Sequence, residues 1–331
     1  MTDKWEFLLS EFRSFGGIAE NVFQKEGEYG RGIFPVNSSL KAKIFTPSKL
    51  LIRKSDIELV NNKIRIKEDK RYNQDIRNFF NFYQDHFSWN GGGKEATDLF
   101  ENGLRVFSLK LKQLIKKYAL VDIEARHKGR WDEVIKKQFL NSRAVFFDGK
   151  ESIAPIWELL NHEVKSLPFI VSKEGISIPS YPPSNGEIKH SYSHTSSLNR
   201  FFSYGFFSRE TIVFSFPFSI NIKNKGIQFC CEGKSLKDDN IKLERSANKI
   251  TIEGLPIADS NHPRLPTYYF NEVLRRIGDN NFSIDFFSYI LKLNIEIRKN
   301  IINESHMIDN EVSKILINLM SYEIDLILSD N

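Results

Sequence analysis

Apolar and polar positions alternate along this chain with two distinct periods. Trp5, Leu8, Leu9 and Phe12 recur at helical spacing and predict an amphipathic helix over residues 3–14, stopped by Gly16-Gly17. Residues 18–24 and 31–36 read as strands joined by a turn over residues 26–30. Residues 40–52 read as a strand pair about a Thr46-Pro47 turn. From about 55 to 141 the period becomes helical. Residues 69–87 are a predicted helix built on Ile76, Phe79, Phe80, Phe82 and Tyr83. A second covers 95–119, with Leu99, Leu104, Leu111 and Ile115, and a third covers 131–141 around Trp131, Val134 and Leu140. Gly91-Gly92-Gly93 lies between the first two. No strand precedes it and no Lys-Ser/Thr pair follows, so a flexible connection is expected rather than a phosphate cradle.

Beyond residue 143 the pattern shortens. Residues 144–174 read as brief extended pieces, and the turn formers of 179–190 predict a loop. Alternation in Ile212-Val213-Phe214-Ser215-Phe216 and Ile250-Thr251-Ile252 makes 210–253 β-rich. Residues 267–328 are again helical. The order is strands, helical insert, strands, helices, an α+β arrangement. No repeat runs through it.

Composition narrows the reading. With 331 residues the chain can bury a large core and form two domains. Its 28 phenylalanines predict an aromatic-rich interior. The net charge of +5 comes with acidic residues interspersed throughout. A mildly basic surface is expected, and nucleic acid is not the expected partner. The two cysteines are adjacent, Cys230-Cys231, and on a strand would face opposite ways, which excludes a disulfide staple and a four-ligand zinc site. The N-terminal residues lack an apolar signal region, and no apolar run is long enough to span a bilayer, so a cytoplasmic protein is expected.

Candidate chemistry gathers at a few short motifs. Gly30-Arg31-Gly32 is a turn where the backbone could approach a ligand closely. Asn161-His162 ends the apolar run Ile153 to Leu160. Tyr192 follows, and Tyr204-Gly205-Phe206-Phe207 lies twelve residues beyond it. Asn141-Ser142-Arg143 follows the Trp131 helix. His190 and His194 flank Tyr192, but they sit in a predicted loop with no third ligand in view, so no metal is expected.

This order of motifs resembles the SET-domain protein methyltransferases, in particular the Rubisco large-subunit methyltransferase-like branch, which also takes in the actin-histidine type. The resemblance covers essentially the whole chain. It implies a SET-type β core of short sheets, a knot-like crossing of the Asn-His and Tyr segments, a helical insert and a mostly helical C-terminal domain. The implied divisions are 1–55 and 142–210 for the core, 56–141 for the insert and 211–331 for a β-then-helical substrate-binding domain. S-adenosylmethionine is the implied cofactor, and the side chain of a protein, most simply lysine Nε, the implied methyl acceptor. A histidine acceptor and a non-catalytic SET-like binding module are the alternatives. The family allows a monomer.

Residue by residue, the resemblance implies a cofactor site of Gly30, Arg31, Gly32, Phe45, Arg143, Glu158, Asn161, His162 and Tyr192. Arg143 would fork onto the cofactor carboxylate, and Asn161 and the His162 backbone would hold the cofactor. Tyr192 and Tyr204 are the implied catalytic tyrosines. Tyr204, Phe206 and Phe207 would line a narrow substrate channel. The chain departs from the pattern at Lys43, Glu163 and Ser197, where relatives carry an acidic residue, a small residue and Asn.

Overall fold

The computed structural model describes residues 3–27, 30–178, 181, 182, 184, 186–192, 196–222, 226–233, 242–276 and 284–329. They divide into two compact units: Met1–Leu99 with Gly129–Tyr192, and Phe100–Lys128 with Ser193–Asn331. The expected stretches 56–141 and 142–210 each span both units.

The first unit opens with the helix Asp3–Ser14, which buries the four residues its period predicted. Gly16, at φ 75°, turns the chain out of the helix, and Gly17 packs so closely on the Phe12 ring that a Cβ would overlap it. The expected strand 18–24 is two strands. Asn21, at φ 55°, bends the chain between Ile18–Glu20 and Val22–Gly27. The first joins an antiparallel sheet in the order Ile18–Glu20, Lys43–Pro47, Gly175–Ser177, Ile170–Val171. The second forms a hairpin with Gly30–Pro35.

Residues 40–52 are not a hairpin. Lys43–Pro47 leads through a 3₁₀ turn, Ser48–Leu50, into Ile52–Arg53, which pairs instead with Lys150–Ile153. A second hairpin, Ile57–Val60 with Lys63–Ile66, lies where helix was expected to begin. Its turn residues Asn61 and Asn62 both take positive φ, which suits a primed hairpin turn. The insert's helices are Gln74–His86 and Trp131–Arg143 in this unit. Asn73 caps the first by accepting from the Ile76 N–H.

The triple glycine is a tight packed turn. Trp89, buried before it, donates its indole N–H to the Asn62 carbonyl at 2.8 Å and meets Phe139 edge-on at 4.9 Å. A Cβ on Gly93 would stand 2.5 Å from the Phe139 ring. Gly91 and Gly93 are thus there for close packing, and Gly92 for its φ of 108°.

The expected helix over 95–119 is two: Lys94–Arg105, whose residues fall in both units, and Leu109–Tyr118 of the second unit. Ser108 breaks the run by capping the second through the Leu111 N–H. A four-stranded sheet runs Phe218–Ile222, Ile227–Glu232, Lys249–Glu253, Lys242–Ser246, with a separate pair of Ile212–Phe214 and Pro256–Asp259. The C-terminal helices are Leu265–Arg276, Ile284–Ser305 and Glu311–Ser329. Cys230 and Cys231 are buried free thiols, and burial pushes Cys231 up to about 12. Among the described residues no helix is long and apolar enough to cross a membrane.

Candidate cofactor and methyl-transfer site

The site of the first unit is built around a short parallel pairing. Asn161 and His162 lie beside Lys189 and His190. This pairing sets the Asn-His segment alongside the segment that leads into Tyr192, as the expected crossing requires. The backbone before it is strained. Ile156 takes φ 66° and ψ −48°, a rare γ-turn geometry for a β-branched residue, and its side chain is fully buried. Thr46 Oγ1 helps fix this bend by donating to the Pro155 carbonyl at 3.0 Å. The 3₁₀ turn Trp157–Leu159 follows and delivers Asn161.

Asn161 is the meeting point of distant segments. Its amide Nδ2 donates to Glu187 Oε1 at 2.5 Å and lies 3.3 Å from the Arg31 carbonyl. Gly32 faces both groups: a Cβ there would lie 1.8 Å from Glu187 Oε1 and 3.1 Å from Asn161 Nδ2. A side chain at this strand position would displace the end of the Glu187 side chain. Gly30, at φ 83°, starts the same strand. Arg31 joins through its backbone, while its guanidinium turns to Glu26 at 3.1 Å and lies over Gly91 and Gly92.

Tyr192 is held at both ends. Its hydroxyl donates to the Leu160 carbonyl at 2.7 Å, and its backbone N–H donates to His162 Nδ1 at 3.1 Å. That second bond leaves Nδ1 of His162 as an acceptor, which places the ring's proton on Nε2 in the neutral form. Behind Tyr192 lies His190, packed at 4.5 Å from Trp157 and 4.7 Å from Tyr192. His190 donates from Nδ1 to the Ser191 carbonyl at 3.1 Å. Burial disfavours the imidazolium and pushes its pKa down from 6.5 to about 3. His190 is thus a neutral, buried ring packed between Trp157 and Tyr192. His194 lies outside the described residues, and no group of three or more metal-binding side chains occurs among the described ones.

Arg143 ends the helix Trp131–Arg143, with its guanidinium 4.2 Å from the Phe139 ring centroid. Its Nη1 donates to Ser142 Oγ at 3.1 Å, and its Nε stands 4.0 Å from Glu158 Oε2. Glu158 itself is sealed inside the protein. Ser88 Oγ donates to its Oε1 at 2.6 Å, and Tyr83 and Gln84 are further polar neighbours. Burial holds the Glu158 carboxyl above its ordinary range, and the Arg143 charge only partly offsets this. Glu158 is thus a buried carboxyl at 4.0 Å from the Arg143 guanidinium.

Phe45 lies in the first sheet opposite Ile18 and Ser177, with its ring against Gly175. Lys43 is exposed at the start of that strand. Glu163 accepts from Ser166 Oγ at 2.9 Å on the surface. In the second unit Ser196 caps the helix Ser197–Tyr204, Ser197 is buried in its first turn, and Gly205 closes it at φ 81°. Burial raises the Tyr204 hydroxyl pKa, with Arg200 opposing. Phe206 lies 6.1 Å from Tyr204, and Phe207 packs on Tyr322 at 5.6 Å.

No family model matches the chain, and no curated protein matches it. Among solved structures it is similar to Rubisco LSMT bound to AdoMet, at 11% identity over 100% of this chain and 91% of that one, with a TM-score of 0.48. The SET domain of LSMT bound to lysine and AdoHcy is similar over 98% of this chain and 89% of that one, at 11% identity and a TM-score of 0.47. Rubisco LSMT bound to sinefungin and monomethyllysine is similar over 99% and 90%, at 12% identity and 0.46.

Proposed function

We propose that this chain is an S-adenosylmethionine-dependent protein methyltransferase acting on lysine Nε. The observation that carries the reading is the convergence at Asn161. The Gly30-Arg31-Gly32 strand, the Asn-His segment and the segment entering Tyr192 meet within hydrogen-bond distance although far apart in sequence. The residues suit the cofactor. Gly32 gives a backbone cradle, Asn161 offers an amide, and the partly exposed Arg143 offers a guanidinium for an amino-acid carboxylate. When bound, the cofactor supplies a methyl group on a positively charged sulfur.

Within this reading Tyr192 positions the acceptor. Its proton is committed to the Leu160 carbonyl, so its oxygen faces the acceptor as a hydrogen-bond acceptor. An amine N–H held there keeps the nitrogen lone pair on line for displacement. The acceptor would give up a proton to solvent before the transfer, so that its nitrogen lone pair is free to take the methyl. A free lysine must first lose that proton, which costs roughly 4–5 kcal/mol at neutral pH. An apolar, aromatic surround lowers this cost by disfavouring the ammonium. Tyr204, Phe206 and Phe207 retain their channel role on the strength of the motif, and a cytoplasmic setting is part of the same reading. Peptide libraries carrying Lys or His, incubated with methyl-labelled S-adenosylmethionine, test it. Label is expected on the lysine members; label on histidine would move the reading to the histidine class.

A further inference from the structure

A second surface of the first unit is also shaped for a ligand. A cleft of about 800 Å³ opens between the 3₁₀ turn Ser48–Leu50, the strand Ile52–Arg53, the segment entering the helix Gln74–His86, and the hairpin of Ala144–Phe147 and Lys150–Ile153. That volume is in the usual range of binding clefts. Its apolar lining comes from Leu51, Ile76, Tyr72 and Phe147. None of the residues placed in the methyl-transfer site lines it.

The charge around the cleft is unbalanced. Lys49, Arg53, Arg71 and Lys150 are exposed on it, and no carboxylate pairs with any of them among the described residues. Of the three carboxylates lining it, Asp69 is held by Lys70 at 2.9 Å and Asp56 accepts the Tyr72 hydroxyl at 3.1 Å. Asp148, at the hairpin turn, is the third. The lining carries five cations and three carboxylates, a net charge of +2, and the cations come from separate segments of chain and border an apolar lining.

We infer that this cleft docks an acidic segment of a partner polypeptide. Carboxylates spaced along an extended chain would meet the separated cations, and the intervening side chains would cover Tyr72 and Phe147. A nucleic-acid backbone fits less well, because every unit of it carries a charge and none supplies an aliphatic side chain for Leu51 and Ile76. Such docking gives a salt-dependent contribution to partner choice.

The test is fluorescence anisotropy with a dye-labelled peptide of alternating glutamate and leucine, against the intact protein at low and high salt. Binding is expected at micromolar concentration, weakening with salt. Arg53→Glu/Arg71→Glu is expected to weaken it by about tenfold or more. Lys292→Glu/Lys299→Glu, which changes net charge equally on an exposed helix face elsewhere, is expected to leave it unchanged. Lys49→Glu/Lys150→Glu serves as a second cleft variant should the first misfold. Absent binding, an equal loss in the Lys292/Lys299 control, or tighter binding of an oligonucleotide of matched charge would overturn the inference.

Discussion

Gly32 shows how one missing side chain fixes a site. Its Cα faces the Glu187 carboxylate and the Asn161 amide so closely that alanine must push one of them away. Gly32→Ala is expected to displace the Glu187 carboxylate at little cost in stability and to weaken cofactor binding, both read from thermal melts with and without S-adenosylmethionine. His190 makes a prediction of opposite character. Its folded pKa lies below the unfolded value of 6.5, so its contribution to stability is complete above 6.5 and is lost as pH falls below it. The loss is about 1.4 kcal/mol per pH unit over the first units. Urea unfolding from pH 7.5 to 5 is expected to show that slope, and His190→Phe to flatten it. An unchanged slope in the variant would assign the acid sensitivity elsewhere. Glu158 has the reverse sign for a carboxyl: its folded pKa is raised, so its contribution is full below the ordinary carboxylate pKa and is lost as pH rises through the folded value. The stability of Glu158→Gln relative to wild type should therefore improve as pH rises toward neutrality.

At the scale of elements, periodicity exposed the long helices and failed where local turn chemistry decided. The helix Asp3–Ser14 and the C-terminal helices stand close to where the apolar spacing put them. The hairpin Ile57–Ile66 was written in its sequence, as alternation about Asn61-Asn62, yet a helical reading of the neighbouring residues hid it. Ser108 likewise carried its own cap signal inside an apolar run that looked continuous. The pairing of Ile52–Arg53 with Lys150–Ile153 joins residues far apart in sequence, so no local pattern could reveal it. The candidate site divides the same way. Gly30-Arg31-Gly32, Asn161 and Tyr192 were legible as motifs. Glu187, an acidic residue in a polar loop, became visible only once Asn161 and Gly32 were placed against it. Ser196 offers a direct check on an element the motifs did single out. Ser196→Ala removes the cap of the helix Ser197–Tyr204 and is expected to cost about 1 kcal/mol in urea unfolding.

Across the whole molecule, each unit encloses its own aromatic and aliphatic core. The first unit, from two separated stretches of chain, assembles the Asn161 convergence. The second carries its own buried ion pairs, Arg298 with Glu323 at 2.8 Å and Arg200 with Glu210 at 2.7 Å. Buried pairs of this kind are costly to break singly, because the partner charge is left without compensation. Glu323→Ala is therefore expected to destabilise the protein by about 3–5 kcal/mol, seen as a lowered unfolding midpoint. The central claim is that the glycine strand, the Asn-His pair and the Tyr192 segment form one cofactor pocket. Calorimetric titration of the pure protein with S-adenosylmethionine, beside Asn161→Ala, tests it most directly. The account predicts micromolar binding to the wild type that the variant loses while remaining folded. Wild-type protein that takes up no heat of binding, or a folded variant that binds as tightly, would contradict it.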